Sequence, residues 1–244
     1  MDWVEAALVT GGDRGIGRAI CLRLARGGYA VGVNYCQRER AAQEVVDQIR
    51  SLGGKAAAFQ ADVSQRNQAQ QLIEEANRAL GSIQLLVNNA GVSWTGLFQD
   101  MTQKQWEQLL GVNLNGTVYC CQSVLPSMIR QQKGAIVNLS SIWGITGASC
   151  EAGYSAVKAA VIGLTKALAK EVGPSGIRVN CVAPGAIDTE MNSHMTQEDW
   201  VLLKEETPLG RIGRPEDIAE AVWFLATNGF VTGQVLSPNG GIVI

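Results

Sequence analysis

Tyr154 and Lys158 stand four residues apart in the run Tyr154-Ser155-Ala156-Val157-Lys158, a spacing that puts both side chains on one face of a helix. A phenol beside an ammonium is suited to proton transfer. Tyrosine is a poor acid near neutrality, with a reference pKa of about 10, so one that gives up a proton needs its phenolate stabilised. The Lys158 charge, together with the positive nicotinamide of an oxidised cofactor, is expected to lower the Tyr154 pKa, and a shift of ~3 units requires ~4 kcal/mol. Carbonyl reduction uses such a donor, because a hydride added to carbon leaves an alkoxide that must take a proton. A second group of residues, Thr10-Gly11-Gly12-Asp13-Arg14-Gly15-Ile16-Gly17, speaks to the hydride. Its glycines let a phosphate approach the main chain, and the backbone N–H groups of a following helix can cradle a pyrophosphate.

These residues need a scaffold, and the hydrophobic pattern supplies one. Short apolar runs alternate with longer amphipathic ones: AALVT then 15–27, AVGVNY then 38–52, KAAAFQ then 64–80, IQLLVN then 102–132, GAIVNLS then 152–172, and IRVNCVAP. Near-continuously apolar strands alternating with helices predict a doubly wound parallel sheet of Rossmann type, α/β in class, with helices on both faces in a three-layer α/β/α arrangement. No linker or repeat divides the chain, so residues 1–244 form one domain, with the dinucleotide-binding part at about 1–150. A last helix is expected near 215–227. The irregular stretch of about 186–210, past the carboxyl end of the sixth strand, is where a substrate lid would sit.

Composition narrows the function. Of 244 residues, 46% are hydrophobic and 17% charged, with a formal net charge of -2, which disfavours disorder and gives no footprint for nucleic acid. The start MDWVEAALVT has no basic n-region and no apolar stretch of signal-peptide length, and no run approaches the length of a bilayer span, so a cytoplasmic location without membrane attachment is expected. Cys21, Cys36, Cys120, Cys121, Cys150 and Cys181 form no C-x-x-C pair and no Cys/His cluster, so no metal site is expected. Cys150 is expected to be a buried small residue. The single histidine, His194, lies in a polar segment that reads as a mobile, solvated loop, which leaves no Ser-His-Asp triad unless it is the base.

The second strand ends Val33-Asn34-Tyr35-Cys36, without the carboxylate that holds the ribose hydroxyls in NAD sites. The nearest acid, Glu39, lies in the following helix. Arg14, with Arg38 or Arg40, can meet a 2′-phosphate, which favours NADPH. Asp13 beside Arg14 would repel that phosphate unless it faces solvent or pairs with the arginine.

The spacing T-G-x-x-x-G-x-G resembles that of the short-chain dehydrogenase/reductase family, and further matches follow in order. Asp62-Val63 looks like the pair that touches adenine, and Asn88-Asn89-Ala90-Gly91 looks like the N-N-A-G element. Asn113, Ser141, Tyr154 and Lys158 match the catalytic asparagine, serine and Y-x-x-x-K. Pro184-Gly185, with Ile187 and Thr189, resembles the nicotinamide-side loop, and Val231-Thr232-Gly233-Gln234 with Asn239-Gly240-Gly241 matches the C-terminal pattern. Taken singly, a helical Tyr-Lys pair is often surface decoration, a serine after a strand a turn residue and an asparagine in a helix a cap or kink. The resemblance implies that Ser141 polarises a carbonyl, Tyr154 donates the proton, Lys158 also binds the nicotinamide ribose, and Asn113 anchors a water in a relay to Lys158. It implies cofactor contacts from Gly11, Asp13, Arg14, Gly15, Ile16, Gly17, Asn34, Tyr35, Asp62, Val63, Asn89, Ala90, Gly91, Tyr154, Lys158, Pro184, Gly185, Ile187 and Thr189. It also implies a homotetramer built partly on helices 102–132 and 152–172.

Within the family the chain is most similar to bacterial 3-oxoacyl-carrier-protein reductases, which implies a fatty-acid elongation substrate on acyl carrier protein. Those enzymes carry basic residues for the carrier where this chain has Gln132 and Ser175, although Arg130, Lys133 and Arg178 lie nearby. The segment Ser140 to Glu151 instead resembles the elongation factor P 5-aminopentanone reductases. Their substrate ends in a cation, for which Trp143 and Glu151 offer an aromatic face and a carboxylate. Packing for Trp143 and a helix N-terminal charge for Glu151 are the plain alternatives. Two other readings are NAD-dependent oxidation of an alcohol or sugar alcohol, and a non-catalytic dinucleotide-binding sensor.

Overall fold

Parallel strands cannot be joined by tight turns, and each crossover needs about a dozen residues, usually as a helix. The sequence supplies them in that order. The computed structural model describes residues 5–192 and 195–244. In chain order it holds β1 (Ala6–Val9), α1 (Gly15–Arg26), β2 (Ala30–Tyr35), α2 (Glu39–Ser51), β3 (Ala56–Gln60), α3 (Arg66–Leu80), β4 (Ile83–Asn88), α4 (Gln103–Leu109), α5 (Gly116–Gln131), β5 (Gly134–Leu139), α6 (Trp143–Thr146), α7 (Ala152–Val172), β6 (Ile177–Val182), α8 (Gln197–Glu206), α9 (Pro215–Thr227) and β7 (Val235–Leu236). The strands pair in parallel in the order β3-β2-β1-β4-β5-β6-β7. The expected α/β class and doubly wound Rossmann-type sheet are what forms.

Both faces of the sheet are covered, which is why its strands read as apolar throughout. On one face α1, α2 and α9 bring Ile20, Leu24, Val45, Ile49, Ile218 and Val222 onto Val9, Val33, Val87 and Val137. On the other, α3, α5 and α7 bring Leu72, Ile73, Val124, Met128 and Leu168 onto Leu8, Ile83, Leu86 and Ile136. Truncating one such buried leucine or isoleucine to alanine costs about 2–5 kcal/mol. After β3 the chain returns to the centre, and β4 starts the second half beside β1. A crevice therefore opens at the carboxyl ends of β1 and β4, where strand order reverses.

Three local features depart from the sequence pattern. The helix expected over 102–132 is divided: α4 begins at a Thr102/Gln105 capping box, and residues Leu110–Asn115 form a π turn before α5. The cause is Asn113, whose side-chain Nδ2 donates to the Leu109 carbonyl at 3.1 Å and so competes for an acceptor of the helix. The stretch 186–210 is not irregular throughout. It holds α8, started by a Thr196/Asp199 capping box that its polar composition obscures. The strand β7, only two residues long, pairs with Cys181 and Val182 and is too short to show a period. Among the described residues no helix is long and apolar enough to cross a membrane, and no cluster of metal-ligating side chains occurs. His194 lies outside the described residues.

Candidate active site

The crevice is closed at its floor by a knot of hydrogen bonds between β1 and β4. The Thr10 hydroxyl accepts the N–H groups of Asn89 and Ala90, each at 3.0 Å, while Asn89 Nδ2 donates to the carbonyls of Thr10 and Gly11 at 3.0 and 2.9 Å. The glycine loop rides on this knot. Gly11 and Gly15 take left-handed φ values of 59° and 48°. A Cβ on Gly17 would stand 2.0 Å from the Gly11 carbonyl oxygen, so only glycine lets α1 start this close to the loop. Arg14, at the N-cap of α1, makes no side-chain cap, so the first N–H groups of the helix face the cleft without that partner. A bare helix N-terminus behind a glycine loop fits a pyrophosphate.

The cleft has a volume of about 1290 Å³ and is lined along its length by Gly11, Asp13, Arg14, Gly15, Ile16, Gly17, Asn34, Asp62, Val63, Asn89, Ala90 and Gly91, then by Ser141, Trp143, Glu151, Tyr154, Lys158, Pro184, Gly185, Ile187 and Thr189. Two expected cofactor residues do other work. Tyr35 packs into the hydrophobic core beneath α1 and α2 and does not line the cleft, because the alternation of β2 turns it inward. Asn34 lines the cleft but is 2% exposed, and its amide is used as a brace: Oδ1 accepts from Gly11 N–H, and Nδ2 donates to the carbonyls of Tyr35, Phe59 and Ala61. Arg40 is turned away, paired with Glu44 along α2. Arg38 joins Arg14 at the cleft instead. Both bond one oxygen of Glu190, at 2.6 and 3.2 Å, so the ion partner of Arg14 is Glu190 and not Asp13.

Further along, α7 presents Tyr154 and Lys158 to the carboxyl end of β5. Lys158 is 4% exposed, its Nζ donates to the Leu139 carbonyl at 3.0 Å, and its own carbonyl accepts the Ser140 hydroxyl at 2.8 Å. The helix is thus pinned to the strand end at the two residues just before Ser141. The Ser141 side chain hydrogen-bonds Tyr154. The chain's own groups act against the lowering expected of an oxidised complex. Burial pushes the Tyr154 phenol above its ordinary value near 10, the Glu151 carboxylate adds to this, and only the Ser141 hydrogen bond acts against them. Burial also lowers the Lys158 ammonium to about 8. Its Nζ lies 5.6 Å from the centroid of the Tyr154 ring and directs its hydrogen bond to the Leu139 carbonyl.

Asn113, expected to anchor a water, is 1% exposed, and its side-chain amide bonds main chain. Its Nδ2 donates to the carbonyls of Val92 and Leu109, and its Oδ1 accepts from Val92 N–H at 3.2 Å. A Cβ on Gly91 would lie 2.8 Å from Asn113 Oδ1 and 3.5 Å from Lys158 Nζ, so the asparagine fixes the segment against which the lysine rests.

The loop after β6 closes the far wall. Ile142 N–H donates to the Pro184 carbonyl, Ile187 bridges to Gly213, and Thr189 reaches across to Gly15. Trp143 and Glu151, the expected substrate contacts, lie on the cleft wall with Ser141 and Tyr154. Cys150 is exposed, with a left-handed φ of 61°, and is not the buried small residue expected. Glu190 was not foreseen from the sequence. Its only signal there is a carboxylate next to Thr189 on a loop that returns to the cleft.

A glycine-loop dinucleotide crevice joined to a buried Ser-Tyr-Lys group defines an oxidoreductase that uses NAD(P) on CH–OH or C=O groups. A family model described as short chain dehydrogenase matches residues 5–200, and the chain belongs to the short-chain dehydrogenase/reductase family. It is 42% identical over 240 residues to the 3-oxoacyl-acyl-carrier-protein reductase FabG of Staphylococcus epidermidis, covering 98% of both chains. To the 3-oxoacyl-acyl-carrier-protein reductase of Synechocystis it is 41% identical over 243 residues, covering 98% of this chain and 97% of that one. Among solved structures it is similar to a blue fluorescent protein from a metagenomic library in complex with NADPH, with a TM-score of 0.92, 34% identity and 98% of both chains covered.

Proposed function

We propose that this protein reduces a ketone to a secondary alcohol with NADPH, and that its substrate is a 3-oxoacyl thioester of the kind carried by acyl carrier protein. The observation that carries this reading is one continuous cleft with two arginines at one end and the Ser141–Tyr154 pair at the other. NADPH, when bound, supplies the hydride. The residues that would hold it are the glycine loop with Arg14 and Arg38, Asp62-Val63, Asn89 to Gly91, Lys158, and the loop from Pro184 to Thr189. Ser141 holds the substrate carbonyl oxygen, and Tyr154, kept neutral by burial, gives its hydroxyl proton to the alkoxide oxygen. Lys158 and Asn113 position this group. The segment 186–210 acts as the lid, and the chain works as a homotetramer that uses the outer faces of α5 and α7, which sedimentation analysis would test. The deciding experiment is NADPH oxidation with a 3-oxoacyl thioester. Turnover supports the reading, whereas tight NADPH binding without oxidation across a panel of ketones would leave a dinucleotide-binding sensor.

A second reading, reduction of the aminopentanone group on elongation factor P, is favoured by Trp143 and Glu151 beside Ser141 and Tyr154. The carrier-docking cations also weaken the first. Arg178 donates to the carbonyls of Leu225 and Ala226 at the end of α9, and Lys133 pairs with Glu5. Gln132 lies against Gly176, the neighbour of Ser175, at the amino ends of β5 and β6, and neither Gln132 nor Ser175 lines the cleft. Aminopentanone-modified elongation factor P, assayed in parallel, separates the two.

A further inference from the structure

Arg14 and Arg38 belong to different turns, one after β1 and one after β2, yet they converge on a single carboxylate oxygen of Glu190. Two guanidinium groups aimed at one point make an anion site. The anion that fills it comes from the chain itself, from the turn Glu190–Asn192 beyond β6. We propose that Glu190 is an internal occupant of the 2′-phosphate site: a latch that fastens the lid to the arginine fork and that a 2′-phosphorylated dinucleotide displaces. This rests on the NADPH reading above.

The physical terms favour a reversible contact. The side chains of Arg14, Arg38 and Glu190 are 49%, 50% and 59% exposed, and ion pairs this open to water are weak. A phosphate monoester brings a charge of about -1.5 to -2 and three acceptor oxygens, against one carboxylate. It therefore takes the fork from Glu190, whereas a bare ribose hydroxyl does not. Of the nearby cations among the described residues, Arg40 is paired with Glu44 and Arg18 bonds Gln48, so neither competes for Glu190. Release is transmitted, because the turn is a small tied unit. Asn192 Nδ2 donates to the Ile187 carbonyl at 2.8 Å, Asn192 N–H to the Thr189 carbonyl at 3.0 Å, and Asp188 N–H to the Gly213 carbonyl at 2.9 Å. Met191 and Asn192 also line the cleft, so the phosphate end and the substrate end share this segment.

The test compares wild type with Glu190→Gln, with dissociation constants for NADPH and NADH read by cofactor fluorescence at low salt. Hydrogen exchange at the Asp188 and Asn192 amides is followed in the cofactor-free proteins. Glu190→Gln is expected to tighten NADPH roughly three- to tenfold, the scale of a pair of exposed ion pairs, to leave NADH within about twofold, and to speed both amides. Equal changes for the two cofactors, weaker NADPH binding or unchanged exchange would overturn the latch. Arg38→Ala separates the two levels. If it weakens both cofactors alike, the NADPH reading fails, and the exchange measurement, made without cofactor, still decides whether Glu190 holds the lid.

Discussion

Lys158 directs its ammonium to the Leu139 carbonyl at 3.0 Å and stands 5.6 Å from the centre of the Tyr154 ring, with both side chains buried. Water is excluded from both, so the fold disfavours the charged form of each. A phenol held neutral suits the reductive direction proposed above, in which the donor enters the reaction with its proton on.

Tyr154→Phe is expected to lower kcat by 10²–10⁴-fold, the usual contribution of a positioned acid, with NADPH affinity nearly unchanged. In the proposed role the hydroxyl transfers a proton, and its loss removes little of the dinucleotide's binding. Retention of more than about a tenth of kcat would remove Tyr154 as the donor.

Lys158 gives a stability prediction with a definite sign. Its pKa is about 8 in the folded chain against an ordinary value of 10.5. Between those pH values the unfolded chain keeps a proton that the folded chain has released, so this group makes stability rise with pH across that window. Below about pH 8 its full cost is present. Lys158→Met should therefore be the more stable protein at pH 7, and its advantage should shrink by about 1 kcal/mol between pH 8 and 9. The difference between the two denaturation curves isolates the effect. Buried Cys21, Cys120, Cys121 and Cys181, whose thiols are pushed up by burial, favour the fold only while protonated and act in the opposite sense as pH rises past 9. An advantage that grows with pH would contradict the assignment.

Arg14→Ala is expected to weaken NADPH roughly ten- to a hundredfold and NADH much less, because a charge-assisted bond to a 2′-phosphate exists only in the former. Titration of both cofactors onto both proteins checks it. An equal loss would place Arg14 on the pyrophosphate.

Glu151→Gln discriminates between substrates. A 3-oxoacyl chain has no cation for this carboxylate, whereas an amino-ketone does. KM for the amino-ketone should rise about tenfold or more, with little change for a neutral ketone of similar length. An unchanged ratio of kcat/KM between the two ketones would withdraw Glu151 as support for the amino-ketone reading.

Much of this was legible in the residues because the signals are local. The strands read as apolar runs because both faces are covered, the glycine loop reads by its spacing, and Tyr154 and Lys158 share a helix face wherever that helix packs. The Thr196/Asp199 capping box was also legible, though the polar stretch around it suggested irregular chain. What spacing could not give was direction: whether Arg38 or Arg40 turns to the cleft depends on the phase of α2, and Tyr35 is inward because of its parity on β2.

The sequence by itself determined the fold class, the glycine-loop crevice and the side chains proposed to react, because periodicity and a fixed loop geometry depend only on near neighbours. The tertiary structure decided the rest. Burial set the phenol above its ordinary pKa and the lysine below it, the reverse of what an isolated Tyr-Lys pair suggests for the phenol, since desolvation depends on everything packed around α7. Glu190 meets Arg14 across 176 positions of sequence, a contact that exists only because the loop after β6 folds back over the carboxyl ends of β1 and β2.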